Sequence, residues 1–141
     1  MSRTKRTGTK AWGGRAAVIG ALGLASVALA AGPAFAKGDV EVTAPHTARV
    51  GTTFTVTGHG DDDGAAYVQV CLEGRSSGST WERMTCGAVV ETGTEAEVVA
   101  QVKAAHSGVL EYRAALFGLT GPDDRHPVRE RTSAPVTVEV R

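Results

Sequence analysis

From residue 39 onward the apolar positions recur at every second residue, not every third or fourth. Val40 and Val42 alternate with polar neighbours in 40–44, and Phe54 and Val56 do so among threonines in 52–58. Val68, Val70 and Leu72 line one side of 66–72. In 95–104, Ala96, Val98, Ala100, Val102 and Ala104 face one way, with Glu95, Glu97, Gln101 and Lys103 opposite. Leu110, Tyr112, Ala114 and Leu116 share a side of 110–116, as Val136, Val138 and Val140 do in 135–141. A period of two marks strands with one buried and one solvated face. A seventh segment, 81–90, mixes polar and apolar residues on both faces and is read as a strand too. Gly51, "GHGDDDG", "EGRSSGS", "ETGT", "HSG" and "GPDD" supply turn signals between the segments. Seven short strands separated by such turns predict an all-β fold with two packed sheets. A closed barrel is the alternative.

The N-terminal residues follow another pattern. Arg3, Lys5, Arg6, Lys10 and Arg15 precede an apolar run, Ala16 to Ala31, which ends at Ala34-Phe35-Ala36. A basic head, an apolar middle and a small-x-small exit describe a secretory signal peptide over 1–36, cut before Lys37. No adjacent arginine pair precedes the run, which favours the general export route. At 16 residues the run is short for a membrane-spanning helix, which needs about 20. Residues 37–141 are then the secreted domain, without stable membrane insertion. Five of the 15 basic residues and none of the 15 acidic ones lie in 1–36, so the domain carries a formal charge of −5. That balance disfavours a nucleic-acid partner and suits a soluble exported protein, expected as a monomer.

Cys71 and Cys86 are the only cysteines. Paired cysteines outside the cytoplasm oxidise and stay oxidised. Zinc requires four ligands at close spacings, and His46, His59, His106 and His126 make no such set with them. A disulfide is expected. By alternation Cys71 shares its face with Tyr67 and Gln69, not with Val68 and Val70. The bridge should therefore tie neighbouring strands outside the main core and staple a hairpin whose loop is "LEGRSSGST".

Candidate contact residues lie at two places. Trp81 and Arg83 follow the hairpin loop, and Trp and Arg are enriched at interface hot spots. The connection 118–133 is long and carries Arg125, Arg129 and Arg131. End loops of sandwiches often bind. Asp61-Asp62-Asp63 lacks the alternate spacing of a calcium loop and reads as a solvated turn. No GxSxG nucleophile motif occurs. No catalytic residue, metal or cofactor is expected, and the chain is not read as an enzyme.

"VTAPHTARVGTTFTVTGHG" and the ending "TSAPVTVEV" resemble the first and last strands of secreted, actinobacterial-type immunoglobulin-like domains. "GVLEYRAAL" resembles their penultimate strand, with Tyr112 near the family's corner tyrosine. The resemblance implies a single seven-stranded antiparallel immunoglobulin-like sandwich over 37–141. In antibody-type domains the bridge joins the second and sixth strands; here the cysteines fall on the third and the next. Gly51-Thr52, Gly58, Gly60, Tyr67, Cys71 and Cys86 also stand in an order similar to the first half of the neocarzinostatin-type chromoproteins. That likeness implies carriage of a small ligand, although the family's second disulfide and its aromatic-rich cleft have no counterpart in the sequence pattern. The expected function is a secreted, non-catalytic binding or structural module. Its partner would be an extracellular protein, a glycan or a small ligand. A small-ligand carrier, or an enzyme inhibitor presenting the stapled 72–85 loop, is the alternative.

Overall fold

The structure, a computed structural model, describes residues 38–141; the expected signal peptide and its cleavage site lie outside them. Among the described residues ten strands follow one another: β1 Asp39–Thr43, β2 Thr47–Ala48, β3 Thr53–Asp61, β4 Tyr67–Ser76, β5 Glu82–Cys86, β6 Val90–Glu91, β7 Ala96–Lys103, β8 Gly108–Leu119, β9 Val128–Thr132 and β10 Val136–Val140. They form two sheets. The smaller has the order β1-β3-β7 and the larger β2-β10-β8-β4-β5, with β6 added to β4 and β9 to β8. Pairing is antiparallel except between β2 and β10.

The alternating apolar residues close the space between the sheets. Phe54 and Val56 from β3 meet Val68, Val70 and Leu72 from β4, with Tyr112, Ala114 and Leu116 from β8 and Val138 from β10. Val56, Val68, Val70, Leu72, Leu116 and Val138 are fully buried. Each such side chain contributes about 1.5–3 kcal/mol of burial free energy. Phe54 and Tyr112 meet edge to face, centroids 5.9 Å apart.

The elements exceed seven for reasons of local packing. The segment expected as one strand at 81–90 is broken into β5 and β6, which pair with successive parts of the same β4 edge. Gly87 lies in the break, where the chain passes so close to the Glu97 carbonyl that a side chain has no room. The segment expected as a long connection, 118–133, contains the end of β8 and all of β9. Only 120–127 remain as a hairpin turn, organised by Asp124, which accepts hydrogen bonds from Thr120 N at 3.0 Å and His126 N at 2.8 Å.

β3 continues through "GHG" because Gly58 and Gly60 occupy inward positions where backbone and neighbours crowd. A β-carbon on Gly58 would lie 3.1 Å from both Ala114 Cβ and Leu72 Cδ2 and 3.2 Å from Val98 Cγ1. Those neighbours are buried and packed, so Gly58→Ala is expected to cost about 1–2 kcal/mol by overpacking. Urea unfolding measures this; an unchanged midpoint would show that the two sheets separate freely at this level.

Candidate functional site

The outward face of the larger sheet carries a second set of ordered side chains. In β4 the residues facing away from the main core are Tyr67, Gln69, Cys71, Glu73 and Arg75. In β8 they are Glu111, Arg113, Ala115, Phe117 and Leu119. The register pairs them as Tyr67 with Leu119, Gln69 with Phe117, Cys71 with Ala115, Glu73 with Arg113 and Arg75 with Glu111. The E-x-R of 73–75 and the E-x-R of 111–113 run antiparallel, so each glutamate meets the other strand's arginine. Arg113 Nε donates to Glu73 Oε2 at 2.6 Å and Arg75 Nε donates to Glu111 Oε2 at 2.8 Å.

Arg129, on β9, reaches across β8 to the same Glu73. Its Nη1 donates to Oε2 at 3.3 Å and its Nη2 donates to Oε1. Glu73 is thus a buried carboxylate, 5% exposed, held by two guanidinium groups. The hydrogen bonds from Arg129, opposed by desolvation and joined by those from Arg113, hold its carboxyl below the usual glutamate range. Charge-assisted contacts of this kind are about twice as strong as neutral ones.

Two aromatic rings complete the row. The guanidinium carbons of Arg75 and Arg113 each lie 4.3 Å from the centroid of Trp81. Those of Arg83 and Arg129 lie 4.9 and 5.2 Å from the centroid of Phe117. The sequence Glu111, Arg75, Trp81, Arg113, Glu73, Arg129, Phe117, Arg83 is therefore a continuous ladder of ion pairs and cation–π contacts across four strands and one turn.

Beneath it lies a small apolar cluster separate from the main core. Cys71, Ala115, Phe117 and Leu119 are buried there, with Tyr67, Cys86 and Val89 packed against them. Cys71 and Cys86 form the expected disulfide, directly opposite each other on β4 and β5. It does lie outside the main core and closes the β4–β5 hairpin. The loop is shorter than "LEGRSSGST", since β4 runs on to Ser76. The turn closes with Ser79 N–H donating to Ser76 C=O at 2.9 Å, and Gly78 sits at φ 81°, where glycine is unstrained.

Of the five residues singled out from sequence, the structure brings Trp81, Arg83 and Arg129 to this one face. Arg125 stands exposed in the 120–127 turn. Arg131 lies elsewhere, with Nε 3.7 Å from Asp62 Oδ2. Asp62 also accepts from Gly64 N at 2.8 Å, so the aspartate run organises its own turn. Glu73, Arg75, Glu111, Arg113 and Phe117 were not singled out; the repeated E-x-R was the signal for four of them. Among the described residues, no group of three or more His, Cys, Asp or Glu side chains is arranged to hold a metal ion, and no helix is long and apolar enough to cross a membrane. No protein-family model and no curated protein matches the chain.

Proposed function

We propose that the chain is a secreted, non-catalytic binding module of immunoglobulin-like fold. Its recognition surface is the outward face of the larger sheet. The observation that carries this reading is the ladder centred on Glu73. Four arginines and two aromatic rings are fixed in place before any ligand arrives, and groups already ordered lose less freedom on binding. The signal-peptide pattern of 1–36 supports export, and the strand order of the two sheets supports the immunoglobulin-like assignment.

A second reading is favoured by the apolar cluster of Tyr67, Phe117 and Leu119 beside the disulfide on this same face. There the protein would carry a small ligand, as the likeness to neocarzinostatin-type chromoproteins implies.

One preparation tests both. Protein recovered from culture medium is expected to begin at Lys37 and to have the mass of the bare oxidised polypeptide. Extra mass of small-molecule size, lost on denaturation, would put the carrier first. The immobilised protein is then exposed to material from the same medium. Whatever it retains is expected to be lost with the pair Trp81→Ala and Arg83→Glu and kept with Lys103→Glu, on the opposite sheet. Retention by the outward-face pair would overturn the proposed surface.

A further inference from the structure

The ladder has a charge imbalance. Four arginines stand against two glutamates, a surplus of two positive charges on a domain of formal charge −5. Glu73 lies in a row between Arg83 on β5 and Arg113 on β8. Adjacent strands are about 4.8 Å apart, so these two arginines spring from backbone positions about 10 Å apart. Arg113 gives only its Nε to Glu73, and no carboxylate pairs with Arg83 among the described residues. The terminal nitrogens of Arg113 and the whole guanidinium of exposed Arg83 therefore retain their donors. Trp81 and Phe117 hold these guanidinium groups within 4.3 and 4.9 Å of their ring centroids, and a planar oxyanion is bound by paired N–H groups of such donors.

We propose that this face binds an acidic polysaccharide, with Arg83 and Arg113 as its anion contacts and the Arg129–Glu73 pair fixing their surroundings. The inference rests on the binding-module reading above. The surplus cations are spread across strands, so a chain with repeated carboxylate or sulfate groups engages both, while a single small anion engages one. Nucleic acid fits less well, because stacking of bases needs free aromatic faces and Trp81 and Phe117 already contact guanidinium groups. An acidic protein is the competing occupant, and polyaspartate stands for it in the test below. Outside the ladder the domain has 6 basic and 13 acidic residues, and that net acidity disfavours an anionic chain over the rest of the surface.

The test uses the full chain carrying Trp12→Phe, which leaves Trp81 as its sole tryptophan. It is titrated with a sulfated oligosaccharide, an oligogalacturonate, a neutral dextran and polyaspartate, by tryptophan emission and calorimetry. The sulfated chain or the uronate, or both, should shift the Trp81 emission and bind, more weakly as salt is raised. Arg83→Glu should weaken that binding about tenfold or more, and Lys103→Glu should leave it unchanged. Arg83 is exposed, so folding of its variant is checked simply by an unaltered melting curve. Equal binding of dextran, or binding indifferent to Arg83→Glu, overturns the proposal. A response to polyaspartate alone assigns the face to an acidic protein and overturns the glycan while leaving the module standing. Silence toward every acidic chain also overturns the glycan; the proposed surface itself falls only if material retained from the medium ignores the outward-face variants.

Discussion

Glu73→Gln is expected to destabilise the fold by about 2–3 kcal/mol at neutral pH. The substitution keeps the shape and removes the charge, leaving Arg113 and Arg129 facing an amide. Removing one partner of a fully buried pair costs roughly 3–5 kcal/mol. Here the two arginines are 26% and 39% exposed, so water recovers part of the loss. The dependence on pH identifies the cause. Glu73 has a folded pKa below its unfolded value. Its contribution is therefore complete above the unfolded value of about 4.3 and declines as pH falls through the folded one. The stability gap between wild type and variant should stay constant near neutrality and narrow only in acid. Urea unfolding across that range measures it. A gap that ignores pH would mean that packing, not charge, is responsible.

Replacing both cysteines, Cys71→Ala with Cys86→Ala, is expected to cost about 3 kcal/mol, the chain-entropy value for a loop of this size. The bridged residues are 15 apart. The loss also has a place in the structure. Among the described residues β5 is the end of the larger sheet and pairs with β4 alone, and the bridge lies at its Cys86 end. Without it the hairpin keeps only its backbone pairing, and Arg83 loses its fixed position over Phe117. Amide exchange should therefore rise first along 82–86, while β4, covered by β8 on its other side, stays protected. Equal protection of both strands, with a loss under about 1 kcal/mol, would show that the ladder holds β5 unaided.

The core strands were legible because alternation is a direct record of which face is buried. Val56, Val70, Leu72, Leu116 and Val138 lie where the period of two puts them. The strand ends were not legible, because glycine has two uses that look the same in sequence. "EGR" reads as a turn, yet Gly74 lies within β4. A β-carbon there would stand 2.8 Å from Met84 Sδ and 3.1 Å from the Tyr112 ring, so the glycine makes room for packing. Taking it as a turn removed Glu73 and Arg75 from the strand, and with them the pairing to Arg113 and Glu111. β9 was hidden in another way. "VRERT" has four polar residues in five, and a strand that faces a charged surface leaves no apolar period to find. The disulfide was legible down to its face, because the strand carrying Cys71 alternates cleanly.

The pairing of β9 with β8 contains one irregularity. Phe117 pairs with Arg129 and Leu116 with Arg131, leaving Glu130 as an extra residue. In a regular strand, residues two apart point the same way; the extra residue sends these two arginines to opposite sides of the sheet. The turn 120–127 hangs beyond this point, at the tip of the hairpin. Residues gained or lost in that turn would not alter which way Arg129 points, provided Phe117 and Arg129 remain opposite. Loop and ladder are therefore free to diverge separately: descendants of this chain could acquire new tips, of any length, on an unchanged charged surface.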